Sequence, residues 1–334
     1  MRVPRAVHTA TRLRDRRILV AGGCTNDGCD LGSPGGATAE VFDPATGTLS
    51  ATDAMTVWRN DHAAELLPDG RVMLIGGWGE AGVLASTDLY DPATGTFDPG
   101  PMMRSARAGV VAVALDDARL LIAGGFIGNR PTIVASEIFD PGTGAMAPTG
   151  DMTRPRGAFM ASLLRDGRVL IAGGLSDGTV TASAELYDPA TGTFAATGSM
   201  RTARYKGGAA TLPDGTVLVF GGSGDIDGRL LYASTEIFDP VSGTFTDGPS
   251  MHAPRYKLAN ASVVLAGGVL VAGGAPRPEV YRFASRSFES VRGSLDATRL
   301  LLAAAPIDGH RVLLTGGYDK AIRPTAATWL FDDR

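Results

Sequence analysis

Histidine and cysteine, the side chains that most transition-metal sites require, are scarce in this chain: four and two among 334 residues. Cys24 and Cys29 have no histidine beside them in CTNDGCD. They make only half of a zinc ligand set, and neither a metal nor a cofactor is expected. Excess positive charge is missing too. The net charge is −4, and no basic stripe is present to neutralise a phosphate backbone, which argues against a nucleic-acid partner. No apolar run approaches the roughly 20 residues that cross a bilayer, so no membrane association is expected. The opening segment, MRVPRAVHTATRLRDRR, is basic but lacks the apolar core of a secretory signal. A cytoplasmic location is therefore expected. There the two cysteines are expected as free thiols, although their spacing also allows a disulfide closing a small loop.

Glycine is plentiful, and it is placed with a period. Double glycines that follow a short apolar run recur seven times: Gly22-Gly23, Gly76-Gly77, Gly124-Gly125, Gly173-Gly174, Gly221-Gly222, Gly273-Gly274 and Gly316-Gly317. Their spacings are 54, 48, 49, 48, 52 and 43 residues. The rest of the unit recurs in phase. A segment opening with Arg comes first, then an Asp-Gly turn such as Asp69-Gly70 or Asp166-Gly167, then the apolar strand ending in two glycines. After a variable loop comes a strand ending in Tyr or Phe followed by Asp-Pro, at Phe42, Tyr90, Phe139, Tyr187 and Phe238. A DPATGT turn and a fourth strand complete the unit. Asp-Gly between apolar strands favours tight hairpins, and Pro with Gly punctuates strands. Each unit is thus four short antiparallel strands, a to d. One such sheet cannot bury both faces alone, and stacking seven around an axis buries them against each other.

The paired glycines, the Tyr/Phe-Asp-Pro and the Arg that opens strand a resemble the kelch family over essentially the whole chain. The resemblance implies an all-β, seven-bladed propeller in one domain, 1–334. Its blades fall near 1–54, 55–102, 103–151, 152–199, 200–250, 251–294 and 295–334. One departure is consistent. Kelch repeats usually carry Trp at the start of strand d, and here Leu49, Phe97, Met146, Phe194, Phe245 and Phe288 stand there. The last residues, TAATWLFDDR, belong to strand c of blade seven. Either that blade has three strands, or a segment before Met1 is lacking. An uncovered edge can pair with another chain, so self-association is expected near Trp329 and Phe331.

Strand order places the d–a and b–c connections at one end of the propeller and the near-identical turns at the other. Variation, and hence any site, belongs to the first end, as the resemblance also implies. The b–c loops run from sixteen residues in blade one (24–39) to four in blade six (275–278), so a groove open towards blade six is expected. Every blade opens strand a with Arg: Arg5, Arg59, Arg107, Arg156, Arg204, Arg255 and Arg299. Six blades carry an acid where strand c begins at the same rim: Glu40, Asp88, Glu137, Glu185, Glu236 and Glu279. Repetition in every unit favours a structural ion pair over an anion site. In blade seven Trp329 takes the acidic position, so Arg299 is singled out as a ligand contact.

Rim positions that differ between blades are the freer ones. They gather Trp58, Asn60, Trp78, Phe126, Tyr205, Tyr256, Tyr318 and Arg299 as ligand-binding candidates. Asp61, His62, Lys206 and Lys257 are the catalytic candidates should the protein be an enzyme. Apolar walls with a few convergent polar groups describe a small-molecule or peptide site. Each residue also has a plainer role: His62 aligned with His8 and packed between blades, the lysines as solvated stems, the tyrosines as rim packing. Two functions follow. One is a binding module for a small molecule or peptide. The other is an acid–base isomerase, lyase or cyclase with Asp61 or His62 as base and Lys206, Lys257 or Arg299 stabilising an anion. A copper oxidase fits poorly, because His8, His62, His252 and His310 do not cluster with tyrosines.

Overall fold

A computed structural model describes residues 1–27 and 36–334. The described chain is all β, without an α-helix, and builds seven antiparallel blade sheets besides two two-stranded ribbons, Trp78–Gly79 with Gly82–Val83 and Leu175–Ser176 with Thr179–Val180. No helix is long and apolar enough to cross a membrane. Six sheets have four strands in chain order. Blade two, for example, runs Ala63–Leu66, Val72–Ile75, Thr87–Asp91 and Thr96–Pro99. Blade seven has three: Ala303–Pro306, Arg311–Thr315 and Thr328–Asp332. The arrangement is a seven-bladed propeller.

Each second strand is a short apolar run, as in ILVA (18–21), VMLI (72–75) and VLIA (169–172), and it is buried along its whole length. Sheets pack face to face through these runs. Ile18, Val20 and Phe42 of blade one meet Ala305, Ile307 and Leu313 of blade seven, which closes the ring. Farther out, the aromatic of the Tyr/Phe-Asp-Pro faces the strand-d filler. Tyr90–Phe97, Tyr187–Phe194 and Phe238–Phe245 each have ring centroids 4.8 Å apart.

The double glycine joins neighbouring blades. The second glycine N–H donates to the carbonyl of the Arg that opens the next blade, from Gly23 to Arg59 at 2.9 Å through to Gly317 and Arg5 at 2.9 Å. That closeness excludes a side chain. A Cβ on Gly76 would stand 2.4 Å from the Arg107 carbonyl oxygen, and Gly76 has φ +61°. The Asp-Gly hairpins use the same left-handed geometry, with φ 96° at Gly70 and 83° at Gly167. Arg16 and Ala118 adopt it in blades one and three without being glycine, at φ 73° and 72°.

The arginine ring is scaffold. Six arginines pair with the six acids: Arg5–Glu40 3.1 Å, Arg59–Asp88 3.2 Å, Arg107–Glu137 2.8 Å, Arg156–Glu185 2.9 Å, Arg204–Glu236 3.0 Å and Arg255–Glu279 2.7 Å. All twelve side chains are fully or almost fully buried. Each guanidinium also donates to the carbonyl of its own blade's first double glycine, as Arg156 does to Gly173 at 2.9 Å. The second carboxylate oxygen accepts a backbone N–H from the d–a turn, as Glu185 does from Thr153 at 2.6 Å. One corner of every complete blade thus gathers hydrogen bonds around its ion pair, which is how buried charge is tolerated, and only the Nε of Arg5, Arg59 and Arg204 is left without a partner among the described residues.

Cys24 corrects an expectation. Instead of a free thiol it is disulfide-bonded, and no described cysteine is free. Cys29 lies outside the described residues, as does the middle of the blade-one loop.

Candidate functional site

Two residues after each opening Arg, the chain takes a left-handed conformation. Val7, Asp61, Gly109, Ala158, Lys206, Lys257 and Leu301 have φ of 57°, 52°, 56°, 50°, 54°, 58° and 54°. Six of these are not glycine, and such geometry costs a side chain about 1 kcal/mol or more. Hydrogen bonds between blades hold it. Val7 N–H donates to Leu301 O (3.1 Å), Asp61 to Val7 O (3.2 Å), Gly109 to Asp61 O (2.9 Å), Lys206 to Ala158 O (2.9 Å) and Leu301 to Lys257 O (3.3 Å). The result is a backbone collar around the axis. The fold dictates the conformation at this position and leaves the side chain free. Three blades use it for charge: Asp61, Lys206 and Lys257.

All three charged residues line a cavity of about 380 Å³ on the propeller axis, to which every blade contributes. Its wall is small and apolar, with Ala64, Ala112, Ala161 and Ala209 at the same level of four inner strands. Asn60, His62, Trp78 and Phe126 line it too. Phe126 lies against Gly109 and Gly157, where a Cβ would come within 2.9 and 2.6 Å of its ring. Gly109 also leaves room for Asp61, whose Oδ2 would be 3.2 Å from such a Cβ.

Asp61, Lys206 and Lys257 share no ion pair or side-chain hydrogen bond with any described residue. Each ammonium does lie over the tyrosine before it, 5.3 Å from the ring centroid, at Lys206–Tyr205 and Lys257–Tyr256. Burial raises the Asp61 carboxyl, and Lys206 draws it partly back. Burial lowers Lys206, with Asp61 opposing. Burial and the nearby Lys206 charge both lower Lys257. These are charged groups held in a partly dry cavity without dedicated partners.

Inner-strand comparison reveals one residue that sequence reasoning passed over. Glu65 is on the innermost strand of blade two, lines the same cavity, and is pushed up to about 7 by burial. Its equivalents, each paired with the residue three before the first glycine, are Thr11, Val113, Ser162, Ala210, Val263 and Ala305. An acid standing alone in an aligned column was the available signal.

His62 is taken up in bridging blades, and the remaining candidates lie outside the cavity. His62 Nε2 meets Thr9 Oγ1 of blade one at 3.0 Å, and burial holds its ring neutral, down to about 3. His8 makes the matching bridge to Thr315 Oγ1 at 2.8 Å. Both histidines tie blades together. Arg299 is held by Asp296 of its own d–a loop, with Nε to Oδ1 at 2.9 Å. Tyr205 is buried, donates to Ile226 O at 2.8 Å and is pushed up to about 12. Tyr318 is buried beside Ala6 and Cys24. Tyr256 packs under Gly228 and Trp58 under Gly36, both in b–c loops. None of these five, Trp58, Tyr205, Tyr256, Tyr318 and Arg299, lines the cavity. Among the described residues, no group of three or more His, Cys, Asp or Glu could hold a metal ion.

Fold and site together define a seven-bladed β-propeller with a charged axial cavity. No protein-family model matches the chain, and no curated protein matches it.

Proposed function

We propose that this is a kelch-type propeller that binds a small molecule through an anionic group placed on Lys206 and Lys257. One observation carries the reading: two lysines and a single acid, Asp61, share the collar of the cavity, and no described side chain forms an ion pair with either lysine. A cavity of about 380 Å³ falls in the range of small-ligand pockets and is narrow for a peptide. A charge-assisted hydrogen bond in such a place is worth roughly 1.5–3 kcal/mol, or about tenfold to a hundredfold in affinity. Lys206→Met is expected to weaken the binding of short carboxylates or inorganic phosphate by at least about tenfold. Titration calorimetry measures it. Binding that is indifferent to both Lys206→Met and Lys257→Met would remove the lysines from the site.

A second reading, an acid–base enzyme, draws on Asp61. Its carboxyl is raised and Lys206 is lowered within one cavity, so both move towards the neutral range where proton transfer is efficient. In that reading Asp61 is the base, and Lys206 with Lys257 stabilises the anion. His62 is left out, because its Nε2 is engaged by Thr9. The compartment also bears on function. A disulfide at Cys24 favours an oxidising environment over the cytoplasm, where thiols are kept reduced.

A further inference from the structure

Glu65 has no part in the reading above. No hydrogen bond or ion pair holds its carboxylate among the described residues, and burial alone shifts it. The side chain is half-buried in the channel wall; an acid partly withdrawn from water without a partner is costly, and no interaction among the described residues offsets that cost. It lies four residues beyond Asp61 along the chain, on the order of 10 Å deeper at the rise of an extended strand. Between the two levels four blades present alanine, Ala64, Ala112, Ala161 and Ala209, and blade six adds Asn260 and Ser262. The cavity therefore has cations at its collar, an acid at depth and room for methylene groups between them.

We propose that the channel takes a linear amphoteric molecule, of the ω-aminoalkanoate class, with its carboxylate on Lys206 and Lys257 and its ammonium on Glu65. This rests on the anion-binding reading of the collar and adds the second pole. The polarity is selective. A simple carboxylate leaves Glu65 unpaired, and a diamine sets an ammonium against the lysines. Leaving a buried charge unpaired is penalised more heavily than a pair is rewarded. Asp61, on the collar with the lysines, balances one of their two charges, so a single carboxylate suffices there.

The test is calorimetry at pH 8 with 6-aminohexanoate, hexanoate and 1,6-diaminohexane. Wild-type protein is expected to bind 6-aminohexanoate about tenfold or more tightly than either analogue. Glu65→Gln, with folding verified by circular dichroism, is expected to bring 6-aminohexanoate and hexanoate to near parity. A readout needing no variant is pH: the wild-type preference should fall as pH drops through about 7 and Glu65 takes up its proton. Equal binding of 6-aminohexanoate and hexanoate at pH 8, or a preference that survives in Glu65→Gln, overturns the inference. If hexanoate then still binds and Lys206→Met weakens it, the collar reading stands alone. If none of the three binds wild-type protein, both readings fall.

Discussion

Glu65 costs stability in the empty protein, and the sign of that cost with pH follows from its shift. Its folded value is about 7 against an ordinary 4.5. Below the ordinary value the carboxyl is protonated in both folded and unfolded chains and costs nothing. Between the two values the folded chain keeps a proton that the unfolded chain has released, so stability falls as pH rises. Above about 7 the full penalty applies, roughly 3 kcal/mol. The charged groups sharing the cavity are Asp61, Lys206 and Lys257, with His8 and His62 held neutral by burial. Glu65→Gln is therefore expected to stabilise the protein at pH 8 by up to about 3 kcal/mol and to change little at pH 4. Denaturant titrations at both pH values measure it, and the same increment at each would refute the assignment of that shift.

At the scale of the element, two kinds of ion pair separate by environment. Arg156–Glu185 is buried at 0% and 1% exposure, whereas Arg201–Asp247 stands at 62% and 71%. Removing one partner of the first strands a charge where water cannot reach it. Glu185→Ala is expected to cost about 3–5 kcal/mol, and Asp247→Ala less than about 1 kcal/mol. Equal losses in thermal melts would show that burial does not govern the ring. The same scale shows what repetition could and could not announce. Arg and acid recurred in six blades, so their pairing was legible in the sequence. The Arg299–Asp296 contact was not, because the position three before the opening Arg is acidic in blade seven alone and holds Arg2, Thr56, Arg104, Thr153, Arg201 and His252 in the others.

At the scale of the whole molecule, closure between blades one and seven relies on packing and backbone bonds rather than on a shared sheet. Met1, as N-terminal amine, donates to Ala326 O at 2.7 Å, in the position where Met55 N–H meets Ala37 O and Met103 N–H meets Ala85 O in other blades. Among the described residues, strand Thr328–Asp332 has no fourth strand beside it. Leu330 is 65% exposed there, while its equivalents Val41 and Ile138 are 7% and 8% exposed. The self-association anticipated at this edge predicts that Leu330→Lys lowers any dimer fraction seen by light scattering and leaves carboxylate binding unchanged, since Leu330 is not in the cavity wall. A monomer at every concentration, with or without the substitution, would dismiss that interface.

The seven units, the four strands of six of them and the ring of paired arginines were set by local pattern: a period near fifty residues, apolar runs buried on both faces, and glycines where backbones meet. Asp61, Lys206 and Lys257 stood out because aligned blades disagreed there. Only the tertiary structure decided that these three share a cavity while Trp58, Tyr205, Tyr256, Tyr318 and Arg299 do not. The left-handed residue two places after Arg204 and Arg255 puts Lys206 and Lys257 in the cavity, while the residue before it, Tyr205 or Tyr256, packs against a b–c loop. That difference of one position is invisible in composition. Glu65 was hidden for a related reason. In one strand it reads as an ordinary polar residue, and it becomes an unpaired acid in a channel wall only when six other blades close around it.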